Sequence, residues 1–94
     1  MQDQNTPTVE QPETYGERII RSKFNPSGSE DVRFIKESTA ALIDKNRASL
    51  KAYLEKNTSP ELDEQRKDAA RWSALATTYY EMAAMFAVKV ATAP

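Results

Sequence analysis

The sequence predicts an all-α protein, a short N-terminal helix followed by an antiparallel two-helix hairpin, assembled as a homo-oligomer. Apolar residues recur at threes and fours through two long stretches, the period of a helix with one buried face. A single short break, Asn57-Thr58-Ser59-Pro60, separates those stretches, and two long helices joined by so few residues run antiparallel. The third observation is surplus apolar circumference. Between Arg71 and Val90, Trp72, Leu75, Tyr79, Met82 and Phe86 form one stripe, and Ala76, Tyr80, Ala83, Ala87 and Val90 form a second beside it. One helix partner covers one stripe, so the second predicts other copies of the chain.

Residues 1–13, rich in Gln, Thr, Pro and acids, bury too little apolar surface to order themselves and predict a disordered arm. Residues 14–94 are expected to form one domain that carries both oligomerisation and ligand binding. Thr14-Tyr15-Gly16-Glu17 matches a capping box, in which Thr and Glu satisfy each other's free amides. A helix over 15–21 follows, weakened by Gly16. Two turns are unstable alone, so Ile19 and Ile20 must dock on something larger.

Lys23-Phe24-Asn25-Pro26-Ser27-Gly28-Ser29 is a shaped turn. Pro26 holds its own φ and moves Asn25 out of the helical region, while Gly28 can take φ values closed to other residues. Ser27 or Ser29 can cap the next helix, whose first turn holds Glu30 and Asp31 where the dipole favours acids. Its stripe runs Val32, Ile35, Thr39, Leu42, Asn46, Leu50, Tyr53 and Leu54. Asn46 is read as a partly exposed group or one that fixes register. This helix is placed over 30–56, about 40 Å at 1.5 Å per residue. Pro60 suits the start of the final helix, with Thr58 to Glu61 as a second possible capping box. Ala70, Ala74, Ala76, Ala83, Ala84 and Ala87 are expected to permit close approach between subunits.

Composition excludes several functions. At 94 residues there is room for one domain, and a domain this small buries a limited share of its surface alone. With no Cys and no His, thiolate chemistry, the usual neutral-pH proton shuttle and the commonest metal ligand are missing. No catalytic residue, metal site or cofactor is expected. A formal charge of −1 offers no general attraction for long DNA or RNA, and no stretch approaches a membrane span. Glu81 is the one carboxylate set among apolar neighbours, and burial there would demand an ion pair between helices or between subunits.

A different set surrounds the first turn. Tyr15 supplies an aromatic face. Arg18, Arg21, Lys23 and Arg33 supply charge, and Asn25, Pro26, Ser27, Gly28 and Ser29 form a loop leading into a helix start. Free amides and the macrodipole favour anions at such a start. Aromatic rings stack on bases and arginine forks grip phosphates, so the combination suits a small nucleotide.

Phe24-Asn25-Pro26-Ser27-Gly28, then V-x-x-I-K at Val32 to Lys36, A-A-L-I-D at Ala40 to Asp44 and R-x-x-x-L-A-x-T-x-x-E-x-A-x-M-x-A-V-K from Arg71 to Lys89 resemble the helical-hairpin family of phage anti-CBASS cyclic-oligonucleotide sponges. The hairpin domain is shared with anti-Thoeris sponges, and the resemblance covers residues 15–91. It implies a phage immune-evasion protein of the host cytoplasm. Such a protein binds cyclic di- or trinucleotides, such as cyclic GMP-AMP or cyclic tri-adenylate, without cleaving them. It also implies a homo-oligomer, a hexamer, with dinucleotide sites between paired subunits and trinucleotide sites where three converge. By position, Tyr15 resembles the base-stacking aromatic, with Gly16 and Arg18 beside it. Gly28 and Ser29 resemble the trinucleotide loop, and Arg71 the side chain that reaches that ligand. Glu30 departs from the pattern, standing where the family places a phosphate-binding lysine. A structural hairpin that docks another protein, and a nuclease of the same messengers, are the rival readings.

Overall fold

The computed structural model describes residues 12–94. Most of the expected arm, residues 1–11, lies outside the described residues; Pro12 and Glu13 are exposed and outside any helix. Helix α1 spans Tyr15–Ile20, α2 spans Glu30–Lys56, and α3 spans Asp63–Ala91 after a 3₁₀ turn at Pro60–Leu62. The hairpin is α2 against α3, and α1 lies mainly on α2. No helix among the described residues is long and apolar enough to cross a membrane.

Local chemistry sets the ends of these elements. The capping box at α1 is complete: Glu17 N–H donates to Thr14 Oγ1 at 3.1 Å and Thr14 N–H to Glu17 Oε1 at 2.9 Å. The helix ends one residue earlier than expected. Arg21 takes a left-handed conformation, φ 58° and ψ 51°, and from there its N–H reaches Arg18 O while Ser22 N–H reaches Glu17 O, satisfying carbonyls the helix leaves free. Ser29 caps α2, with its hydroxyl accepting from Val32 N–H at 3.3 Å. At the far end Arg66 donates to Leu54 O at 2.8 Å and Asn57 O at 2.6 Å, so a side chain of α3 closes the last turn of α2. The second capping box does not form. Ser59 caps the 3₁₀ turn instead, accepting from Glu61 N–H at 3.4 Å, because Pro60 starts the turn directly after it.

Packing corrects the stripe assignment. Val32, Ala40, Ile43 and Ala84 are the buried apolar side chains, joined by Ser73 and Thr77. In α2, Ala40 and Ile43 take the interior while Leu42 stays exposed. In α3 the large stripe of Trp72, Leu75, Tyr79, Met82 and Phe86 is exposed, and the narrower row of Ser73, Thr77, Tyr80 and Ala84 turns inward. Ala84 therefore serves the seam within one chain, not an approach between subunits. Asn46 explains the polar seam: its Nδ2 donates to Ser73 O at 2.9 Å and Thr77 Oγ1 at 3.4 Å. It fixes the register of α3 on α2.

The Cα trace extends 12 Å along its shortest axis. Few side chains are buried between the helices, whereas stable domains bury a core between layers. Ten large apolar side chains are exposed among the described residues, including Phe34 at 72%, Trp72 at 59% and Phe86 at 54%.

Docking of α1 depends on Gly16. Its backbone presses on α2 so closely that an added Cβ would lie 2.1 Å from Ala40 O. Its N–H donates to Asp44 Oδ1 at 2.7 Å. Gly16→Ala is expected to displace α1 and destabilise the fold by about 1–3 kcal/mol, as overpacked contacts do. A lowered thermal midpoint would register this.

Candidate functional site

The contact at Gly16 decides where Tyr15 goes. The ring is half-buried and lies under the Arg47 guanidinium, 3.8 Å from the ring centroid, with Arg18 at 5.5 Å. Both are within the range at which a cation is attracted to an aromatic quadrupole. Arg18 comes from the next turn of α1, but Arg47 comes from the middle of α2. Tyr15 and Arg47 line a 340 Å³ cleft with Ser73, Thr78 and Glu81 of α3. The ring is thus a positioned platform and not the freely exposed face expected.

Within one chain Glu81 is exposed and makes no inter-helix salt bridge among the described residues, because the face of α3 that carries it turns toward α1 and solvent and not into the seam.

A second cluster follows α1. Phe24 is exposed and lies 4.6 Å from the Arg21 guanidinium and 5.3 Å from the Lys36 ammonium. The Lys36 ammonium also donates to Phe24 O and, at 3.3 Å, to Arg21 O. Burial, and then repulsion from Arg21, hold Lys36 below the ordinary lysine value. Arg18, Arg21 and Lys23 border the adjoining surface with Phe24.

The loop behaves differently from expectation. Gly28 has φ +66° with open space where a Cβ would stand, so the conformation and not crowding accounts for glycine. Gly28 N–H donates to Asn25 O at 3.1 Å, Ser29 N–H to Ser27 Oγ at 3.2 Å, Ser27 Oγ to Asn25 Oδ1 at 2.9 Å and Asn25 Nδ2 to Ser29 O at 3.0 Å. These donors hold the loop's shape within one chain, and Pro26 has none to give. Arg33 is likewise engaged, 2.7 Å from Glu30 and 3.6 Å from Glu37. The hydrogen bond to Glu30, followed by the charges of Glu30 and Glu37, raises it above the ordinary arginine value.

Arg71 stands apart. It is exposed on α3 and pairs with Asp68 at 3.3 Å. Two residues beyond it, Ser73 meets Asn46, which is 17 residues along α2 from Ser29, roughly 25 Å at 1.5 Å per residue. Tyr15, Gly16 and Arg18 therefore share one region and Asn25 to Ser29 another, and Arg71 lies far from the Asn25–Ser29 loop in a single chain. Sequence reasoning missed Arg47, Asp44 and Lys36. The signals for them were the V-x-x-I-K stretch that ends at Lys36 and the A-A-L-I-D stretch that ends at Asp44; Arg47 had none. Among the described residues no cluster of three or more acidic side chains could hold a metal ion.

No protein-family model, curated protein or solved structure matches the chain.

The lowered Lys36 value has a direction. Between it and the ordinary value the unfolded chain binds more protons than the folded one, so stability rises with pH there. Unfolding of wild type and Lys36→Met, compared from neutral pH upward, should show the difference shifting toward wild type as the ordinary lysine value is approached.

Proposed function

We propose that this chain is a homo-oligomeric sponge for cyclic di- and trinucleotide messengers, holding them intact and so silencing a CBASS-type bacterial defence from within the host cytoplasm during phage infection. The observation that carries the reading is Tyr15, seated at 3.8 Å beneath Arg47 with Arg18 alongside. An aromatic ring and arginine forks held together offer stacking for a base and paired hydrogen bonds for a phosphate. The resemblance of residues 15–91 to the sponge family points the same way. So does the exposed stripe of Trp72, Leu75, Tyr79, Met82 and Phe86, an apolar surface of the kind that other copies of the chain would cover.

Oligomerisation also supplies what one chain lacks. Arg71 and the Gly28–Ser29 loop are far apart along the hairpin, so one ligand meets both only where separate copies provide them. A two-fold seam, in turn, matches the symmetry of a cyclic dinucleotide. The hexamer implied by the resemblance satisfies both requirements. A second reading, a structural hairpin that docks another protein, is favoured by the same exposed stripe; it requires no nucleotide.

Light scattering should return several times the 10.6 kDa chain mass, near six-fold for the hexamer, and Trp72→Glu with Phe86→Glu should reduce it to one chain. Calorimetric titration should show Tyr15→Ala losing cyclic GMP-AMP and Arg71→Ala losing cyclic tri-adenylate, with assembly unchanged in both. Equal losses of both ligands in both variants would contradict separate sites. Ligand released by denaturation should be intact; cleaved ligand would turn the reading to a nuclease, and no retained ligand to the structural hairpin.

A further inference from the structure

We infer that the Tyr15 cleft selects a guanine-type base, with Glu81 reading the base edge; this rests on the function proposed above and specifies its ligand. Glu81 is the only carboxylate lining the cleft that Tyr15 and Arg47 share with α3. It is exposed and free of any ion pair among the described residues, although it sits in the more apolar half of the helix. It also borders a neighbouring groove with Lys36 and Lys89, yet its carboxylate stays free to accept from a ligand in the Tyr15 cleft.

The chemistry of the three side chains is complementary. Arg47 holds the ring from one element, Tyr15 offers π surface from a second, and Glu81 projects from a third. A base laid against the ring turns an edge across the cleft. An ionised carboxylate only accepts hydrogen bonds, so it suits an edge that presents adjacent donors. Guanine offers N1–H and the exocyclic N2 amine side by side, and unpaired bases are commonly read on that edge. Adenine offers an acceptor at N1 instead, which faces the carboxylate unfavourably. The cations Arg18 and Arg47 are left for the phosphates, which carry no base information.

Cyclic di-GMP and cyclic di-AMP share a backbone and differ in the base alone, so their affinity ratio isolates the edge contact. Wild type should hold cyclic di-GMP about tenfold more tightly, the size of one bidentate base contact in a solvent-accessible site. Glu81→Gln should bring the ratio close to one, while Arg47→Gln should weaken both rings alike. A wild-type ratio near one, or an unchanged ratio in Glu81→Gln, overturns the inference. So does loss of assembled mass in Glu81→Gln with the ratio kept, which assigns Glu81 to an interface ion pair. Wild-type protein that retains neither ring nor any other cyclic nucleotide fails the underlying function itself, a result separate from loss of base preference.

Discussion

The seam between α2 and α3 is narrow and partly polar, and that constraint shapes everything outside it. Asn46 must reach Ser73 O and Thr77 Oγ1 across the seam, which requires small side chains on the facing row of α3. Ser73, Thr77 and Ala84 meet that requirement, and Tyr80, the large residue of the same row, is only half-buried. Helix separation follows side-chain size at the contact, so a bulky row turned inward would break the Asn46 bridge and leave buried polar groups unpaired, at a cost of about 1–3 kcal/mol each. The bulky row is therefore forced outward. Exposure of Trp72, Tyr79 and Phe86 is a consequence of how the hairpin closes.

That arrangement leaves the outer face of α3 uncovered within one chain. Among the described residues only Ile43 is a large side chain wholly removed from solvent, and each further Leu, Met or Phe buried contributes about 1.5–3 kcal/mol. The uncovered stripe thus holds more potential stabilisation than the closed seam. On the other side α1 adds a partial cover, and Gly16 lets it approach until its amide reaches Asp44. The same approach brings Tyr15 beneath Arg47. One close backbone contact therefore anchors α1 and builds the aromatic platform.

Features legible in the sequence are those whose partners are near in the chain. Thr14 and Glu17 are three residues apart, Ser29 caps Val32, and the span of α2 follows from local signals at both ends. Asn46 was legible as a register residue because a polar group interrupting an apolar stripe has few other roles. What was hidden depends on distant partners. Asp44 and Gly16 are 28 residues apart, and Arg47 meets a ring from another helix, so no spacing rule points to either. The stripe of α3 was misassigned for a related reason: hydrophobicity ranks Trp, Leu and Met above Ser, Thr and Ala, whereas the seam selects for size. Glu81 was expected to be buried because its neighbours in sequence are apolar, but adjacent residues of a helix point in different directions.

Charge pairing then separates two groups of cations that composition could not distinguish. Arg33, Lys67 and Arg71 each lie within 4 Å of an acid on their own helix, in exposed pairs that solvent screens and that add little stability. Arg18, Arg21, Lys36 and Arg47 instead face rings. A guanidinium stacked on a ring by its face keeps its in-plane N–H donors directed outward, so stacking and phosphate binding are compatible for the same arginine. Under the proposed function this resolves the difficulty of Glu30. Its carboxylate is engaged by Arg33 at the start of α2, and the loop behind it spends its donors on itself. The phosphates of a dinucleotide then fall to the arginines around Tyr15, which meets α2 at Arg47 and not at its Glu30 start.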